Sequence, residues 1–214
     1  MAVISIPAPA LLLQHSGLNK VWLGWWVIAW TAAVLSARVA IPRIDPGVSS
    51  ASSALEQLGA IGLCVPLVLV AILIPDRTTW LTASSPRNPR LLRLANIGLI
   101  TAVSVSSAMA AAALYPSDIR WIRIVSIFML LLALTFIAAL IIGSTWAGFL
   151  APAFIILNTI PGLISWKWNV IYNPATDAAL IPAAFLSLSA VFLVLIAHTA
   201  FSHRQPSRGT QPAN

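Results

Sequence analysis

Charged residues are almost missing from this chain, and their scarcity excludes most classes of soluble protein. Asp, Glu, Lys and Arg make up 8% of the 214 residues, whereas apolar residues make up 59%. A soluble domain carries roughly a quarter charged residues, so a water-soluble fold of this composition would lack a polar surface. We therefore predict an all-α integral membrane protein.

Cysteine and acidic residues are also scarce, which excludes several kinds of chemistry. The single Cys64 rules out an internal disulfide and a cysteine metal cluster. The acidic residues are Asp45, Glu56, Asp76, Asp118 and Asp177. All lie at predicted span ends or in loops, so no carboxylate pair shares a helix face. There is no Gly-Xaa-Ser-Xaa-Gly or phosphate-binding glycine motif either. We predict no enzymatic activity, no cofactor and no metal site.

The few charges divide the chain into uncharged windows of membrane-spanning length. A helix that crosses a bilayer needs about 20 mostly apolar residues. The windows contain 17 residues between Lys20 and Arg38, 19 between Glu56 and Asp76, 24 between Arg93 and Asp118, 43 between Arg123 and Lys167, and 26 between Asp177 and Arg204. The longest would extend about 65 Å as one helix, so it must contain two.

These windows predict a bundle of six transmembrane helices within residues 20–201. The predicted spans are about 21–37, 55–74, 91–114, 124–142, 147–165 and 178–201. We expect residues 1–19 to form an interfacial or disordered segment. Residues 202–214 are polar and contain prolines, which is typical of a disordered tail.

Local sequence features refine this prediction. Pro66 predicts a kink in the second span, and Asn88-Pro89 predicts the start of the third. The small residues of 101–113 let helix backbones approach closely, which predicts that the third span is central. The fourth span is almost entirely bulky and aliphatic, so we expect it to face lipid on a broad side. Trp22, Trp26 and Trp30 recur at helical spacing and share a helix face.

The distribution of basic residues predicts the orientation. With six spans, one side of the membrane holds Lys20, Arg77, Arg87, Arg90, Arg93, Arg204 and Arg208. The other side holds Arg38, Arg43, Arg120, Arg123 and Lys167. Cytoplasmic loops carry the excess of Lys and Arg, so we predict a multi-pass protein of the cell membrane with both termini cytoplasmic. Basic residues scattered between spans indicate contacts with lipid headgroups rather than with nucleic acid.

Mild polar residues inside the spans allow two interpretations. Ser104 and Ser107 lie in the third span, and Asn158 and Thr159 lie in the fifth. Such groups commonly form hydrogen bonds between helices. Alternatively, they line a substrate path. A path without buried charge would suit a hydrophobic or amphipathic compound rather than an ion.

The loop between the second and third spans also allows two interpretations. It contains Trp80, Arg87, Arg90 and Arg93. It could form a short helix on the membrane surface. It could also dock onto a cytoplasmic partner, because Trp and Arg are favoured anchors at protein interfaces.

With these features the chain resembles the membrane subunit of ABC-2-type exporters. The resemblance is one of topology over nearly the whole chain: an interfacial Leu11–Leu13, the loop from Asp76 to Arg93, and an interrupted stretch from Asn158 to Pro174. It implies a permease subunit that forms a homo- or heterodimer. Such a subunit binds a separate cytoplasmic ATPase through the loop and exports a hydrophobic or amphipathic compound.

A protein of another class fits the same composition. It is a non-catalytic membrane protein that scaffolds, assembles or protects a partner complex, with spans that serve only packing. Under this interpretation Asn158→Ala is tolerated, whereas bulky residues at Ala108 or Ala112 are not.

Overall fold

All regular structure in the described part of the chain is helical. The computed structural model describes residues 20–39, 57–74, 89–117, 120–160 and 163–201. The helices are α1 (Lys20–Ser36), α2 (Gln57–Gly62), α3 (Cys64–Leu73), α4 (Pro89–Ala112), α5 (Trp121–Ile141), α6 (Ser144–Thr159) and α7 (Asp177–Phe201). Two 3-10 turns, Trp166–Trp168 and Pro174–Thr176, lie between α6 and α7. The predicted segments 1–19 and 202–214 lie outside the described residues.

Three of the helices are long and apolar enough to cross a membrane. Their spanning parts are Leu94–Ala112, Trp121–Ile141 and Asp177–Val194. The apolar stretches Val21–Ser36, Gly59–Leu73 and Thr145–Asn158 are shorter. A helix of 16 residues, the length of α6, extends only about 24 Å, less than a hydrocarbon core of roughly 30 Å. The prediction of six full-length spans therefore holds for three of them, while the other three segments are helical but short.

Prolines set two of the helix boundaries, as the sequence predicts. Pro66 has no N–H to donate to the carbonyl of Gly62, and its ring crowds that carbonyl. The α-helix accordingly breaks at Leu63, whose N–H donates to Ala60 O at 3.2 Å. Leu63 keeps helical backbone angles, so α2 and α3 form one interrupted segment. Pro89 is the first residue of α4, where its missing N–H has no helical partner to lose.

A single glycine reverses the chain between α5 and α6. Gly143 has φ of 86°, a left-handed conformation that glycine adopts without a steric penalty. Ile142 N–H still donates to Ala138 O at 2.9 Å, so α5 remains hydrogen-bonded up to the turn. The turn sends α6 back along α5.

The helical segments run alternately up and down. We call the end where α5 and α7 begin the Asp177 end, and the end where α5 turns into α6 the Gly143 end. At the Gly143 end, Ala71, Ala138 and Ala147 of α3, α5 and α6 pack together. The two ends of the described chain, Lys20 and Phe201, therefore lie at the Gly143 end.

Contacts of Tyr115 and Arg38 join α1 and α4 at the Asp177 end. The Tyr115 hydroxyl donates to Ala33 O at 3.3 Å, and Arg38 Nη2 donates to Leu114 O at 3.1 Å. Burial raises the pKa of the Tyr115 phenol, which keeps the hydroxyl protonated as a donor. The C-terminal ends of α1 and α4 are thus fastened to each other.

The central helix is α5, and the expectation that it faces lipid on a broad side is wrong. In its spanning part 67% of the residues are buried, against 39% in α4 and 22% in α7. It packs against α3, α4, α6 and α7. Its side chains Phe128, Leu131 and Phe136 are almost completely buried. Because lipid tails and a bundle interior are both apolar, composition alone does not distinguish a central helix from a peripheral one.

Three tryptophans of α1 form a continuous row of rings along one face of the helix, as their spacing in the sequence predicts. Trp22 and Trp26 stack with ring centroids 4.8 Å apart, and Trp26 and Trp30 meet edge-on at 6.1 Å. Trp30 continues the row onto Phe128 of α5 at 5.0 Å. The aromatic row thereby connects α1 to the central helix.

Gly62 lies so close to α1 that its substitution by alanine is expected to lower the stability of the bundle. A Cβ on Gly62 would lie 1.9 Å from Ser36 Oγ and 3.1 Å from Ala33 Cα. The Ser36 hydroxyl is itself held by a 2.7 Å bond to Ala33 O, so it cannot move aside freely. We expect Gly62→Ala to lower the free energy of unfolding in mixed micelles by about 1–3 kcal/mol through overpacking.

Gly98→Ala is the matched control, because a Cβ there meets nothing within 4 Å. Alanine is the better helix former, so this variant should gain up to about 1 kcal/mol. Equal effects of the two substitutions would contradict the close approach of α1 and α2.

Candidate functional site

Only part of the predicted site residues lies in the described part of the chain. Trp80 and Arg87 lie outside the described residues. Arg90 and Arg93 lie in the first turns of α4, at the Gly143 end, and only their backbone is described. Thr159 is the last residue of α6, and its side chain is not described either.

The predicted path residues belong to two helices that do not pack extensively on each other. Ser104 and Ser107 lie on α4, and Asn158 lies at the end of α6; each helix packs against α5 instead. The described side chains of this set, Ser104, Ser107 and Asn158, thus lie on two helices that are both packed against α5.

Ser107 takes part in helix packing. Its hydroxyl oxygen accepts a 2.9 Å hydrogen bond from Trp26 Nε1 of α1. Ser104, about one turn away, is 1% exposed, and its hydroxyl has no hydrogen-bond partner in the described part of the chain. Ser107 thus has a structural partner.

Asn158 is hydrogen-bonded at the C-terminal end of α6. It is 4% exposed, and its Nδ2 donates to Phe154 O of its own helix at 2.8 Å. Its backbone oxygen accepts a 2.8 Å bond from Asn169 Nδ2. Because the last carbonyls of a helix lack helical partners, Asn169 caps α6 from the following segment.

The segment between α6 and α7 is folded back into the bundle. We call residues 163–176 the connection. Asn169 Oδ1 accepts from Tyr172 N–H at 3.1 Å, and Asn173 Oδ1 accepts from Ala175 N–H at 3.0 Å. Ile171 is fully buried. Side-chain amides therefore replace the regular hydrogen bonds that a helix would have supplied.

A buried arginine holds the connection in place. Arg123, in the first turn of α5, is 1% exposed. Its Nη1 donates to Asp177 Oδ1, and its Nη2 donates to Ile171 O at 3.0 Å and to Val170 O at 3.4 Å. Arg123 thus joins α5, the connection and α7.

Asp177 has a second, weaker cationic neighbour. Arg120 Nη1 lies 3.9 Å from Asp177 Oδ2, and the Arg120 side chain is 78% exposed. Asp177 is the first residue of α7, a position where an acidic residue is favourable. Its ion pair with Arg123 was not predicted. The available signal was only that the predicted topology puts Asp177 on the same side of the bundle as Arg120 and Arg123.

In the described ranges no three His, Cys, Asp or Glu residues come close enough to hold a metal ion. The comparisons with known proteins give no match: no protein-family model, curated protein or solved structure is significantly similar to this chain. Interpretation therefore rests on the residues themselves.

The burial of Arg123 predicts a strong dependence of stability on this residue. Removal of one partner of a buried pair leaves an uncompensated charge, which costs about 3–5 kcal/mol. We expect Arg123→Met to lower the free energy of unfolding by that order. Arg120→Met should cost at most about 1 kcal/mol, because the ion pair of Arg120 is exposed. The measurement is denaturation in mixed micelles.

A double variant separates charge from volume. Arg123→Met combined with Asp177→Asn leaves no unpaired carboxylate, so it should be more stable than Arg123→Met alone. Comparable losses of stability for Arg120→Met and Arg123→Met would show that the buried contacts of Arg123 contribute no more than the exposed ion pair of Arg120.

The bond between Trp26 and Ser107 is testable by a double-mutant cycle. Hydrogen bonds between membrane helices contribute about 0.6 kcal/mol on average and at most about 1.7 kcal/mol. We expect a coupling free energy in this range between Trp26→Phe and Ser107→Ala. The control cycle uses Ser106→Ala, because Ser106 is exposed on the neighbouring position of α4. A coupling no larger than that of the control would disprove the contact.

Proposed function

We propose that this chain is a multi-pass membrane permease subunit of an ATP-driven exporter, in which all six helical segments cross the bilayer. ATP hydrolysis takes place on a separate partner, and the cargo is hydrophobic or amphipathic. The observation that carries the proposal is the connection between α6 and α7, whose residues Asn169, Ile171, Tyr172 and Asn173 are buried at the end of an apolar bundle. The topology that the sequence shares with ABC-2-type exporters includes such an interrupted stretch at this place.

The packing of the shorter segments supports six crossings. α6 runs back along the central helix α5, and its outward side chains Trp146, Phe149, Ile156 and Leu157 are apolar. Such a surface is favourable in lipid and unfavourable in water. A bilayer accommodates a short span by local thinning, at a cost of fractions of a kcal/mol per Å.

The ends of the bundle support the predicted orientation. Both ends of the described chain lie at the Gly143 end, which is also the end of the basic loop before α4. Placing this end in the cytoplasm follows the rule that cytoplasmic loops are rich in Lys and Arg. It also places the first turns of α4, which contain Arg90 and Arg93, on the side of a cytoplasmic ATPase.

A second function is favoured by the hydrogen bonds of the predicted path residues. Ser107 is bonded to Trp26, and Asn158 is bonded within its own helix end. Side chains used in this way suit a non-catalytic membrane protein that scaffolds, assembles or protects a partner complex. The two functions differ in the partner that each requires.

Affinity purification in mild detergent tests the permease proposal. We expect an ATP-hydrolysing subunit to copurify with the unmodified chain and to be lost from the triple variant Arg87→Ala, Arg90→Ala, Arg93→Ala. Arg38→Ala is the control, since Arg38 is exposed at the opposite end. Recovery of no ATPase rejects the proposal, and a copurified complex without ATPase activity supports the second function.

A further inference from the structure

The Asp177 end carries more positive charge than its described carboxylate neutralises. Asp177 is the one acidic residue among the described ranges. Its two oxygens face two guanidinium groups, of Arg123 and of Arg120. One positive charge is therefore left over at this point.

The beginning of α5 adds to this excess. α5 has 21 residues, no acidic residue in its first turn, and no side-chain hydrogen bond from its N-cap residue Arg120. A helix N-terminus carries about half a positive charge and unpaired N–H groups, and arginine cannot accept from them. α7 begins beside it at Asp177, so two helix N-termini and two arginines converge.

Arg123, in the first turn of α5, has one N–H donor without a hydrogen-bond partner among the described residues. Its side chain is 2% exposed, and its Nε is buried without a hydrogen-bond partner in the described part of the chain. A guanidinium has five N–H donors, and a buried one without a partner is unfavourable. The site nevertheless opens outward, because Arg120 is 78% exposed.

We propose that Arg120 and the N-terminus of α5 bind the phosphate of an anionic phospholipid headgroup. Arg120 is followed by Trp121, which is 55% exposed and belongs to a residue type that favours the headgroup level. Lys167 lies 5.7 Å from the ring of the exposed Trp168, so the connection adds a second cationic and aromatic pair. The inference rests on the membrane insertion within the proposed function, and it is independent of export.

Native mass spectrometry of the full chain tests this site. The protein is released from mild detergent containing equal amounts of phosphatidylglycerol and phosphatidylcholine. We expect preferential retention of phosphatidylglycerol. Arg120→Gln should weaken it about fivefold, the contribution of one arginine near an anionic membrane surface. Arg38→Gln, an exposed arginine at the same end, should leave retention unchanged.

Three outcomes would overturn the site. They are equal retention of the two lipids, equal effects of Arg120→Gln and Arg38→Gln, and displacement of the lipid by excess inorganic phosphate, which would indicate a site for free anions. Lipid preference without a copurifying ATPase would refute the export proposal alone, and the reverse result would refute the lipid site alone.

Discussion

A charged side chain buried in an apolar bundle constrains everything around it. Transfer of an unpaired guanidinium into a low-dielectric interior is very unfavourable, so the contacts that Arg123 makes offset a large desolvation penalty. Those contacts fix the start of α7 through Asp177 and the path of the backbone through the carbonyls of Val170 and Ile171. The connection contains no regular α-helix, and the polar backbone of its buried part is tolerable because side chains and Arg123 form hydrogen bonds with it.

The rest of the bundle shows how bulky and small residues complement each other. The small residues of α4 were expected to make it central by letting several backbones approach closely. Instead, part of this surface accepts large side chains, since Trp26 reaches Ser107 across the interface with α1. The close backbone approach occurs elsewhere, where Gly62 meets Ala33 and Ser36. A small residue in the sequence indicates a tight contact. It does not indicate whether a neighbouring backbone or a large side chain such as an indole occupies the adjacent space.

The sequence predicts the positions of the helices along the chain better than it predicts which helices are buried in the bundle. The scarcity of charge indicated six apolar segments, all of which are helical, and Pro89, which was predicted to start the third span, is the first residue of α4. The central role of α5 could not be predicted, because a uniformly apolar helix has no polar face to mark its exposed side. The Arg123–Asp177 pair was missed for a different reason. Its partners are 54 positions apart, and only the packing of α5 against α7 brings them together.

The same packing limits where cargo could move. α5 is enclosed by α3, α4, α6 and α7, so a path through the middle of one bundle would have to displace Phe128, Leu131 and their neighbours. Interiors packed at this density do not open without a large loss of contacts. α7, in contrast, is mostly exposed, and it presents large apolar side chains such as Phe185, Leu186 and Leu193 outward. For the export proposal, a path between two subunits is therefore physically easier than a path inside one. A dimer then becomes a requirement of the mechanism, because one subunit alone would offer its cargo only a surface facing lipid.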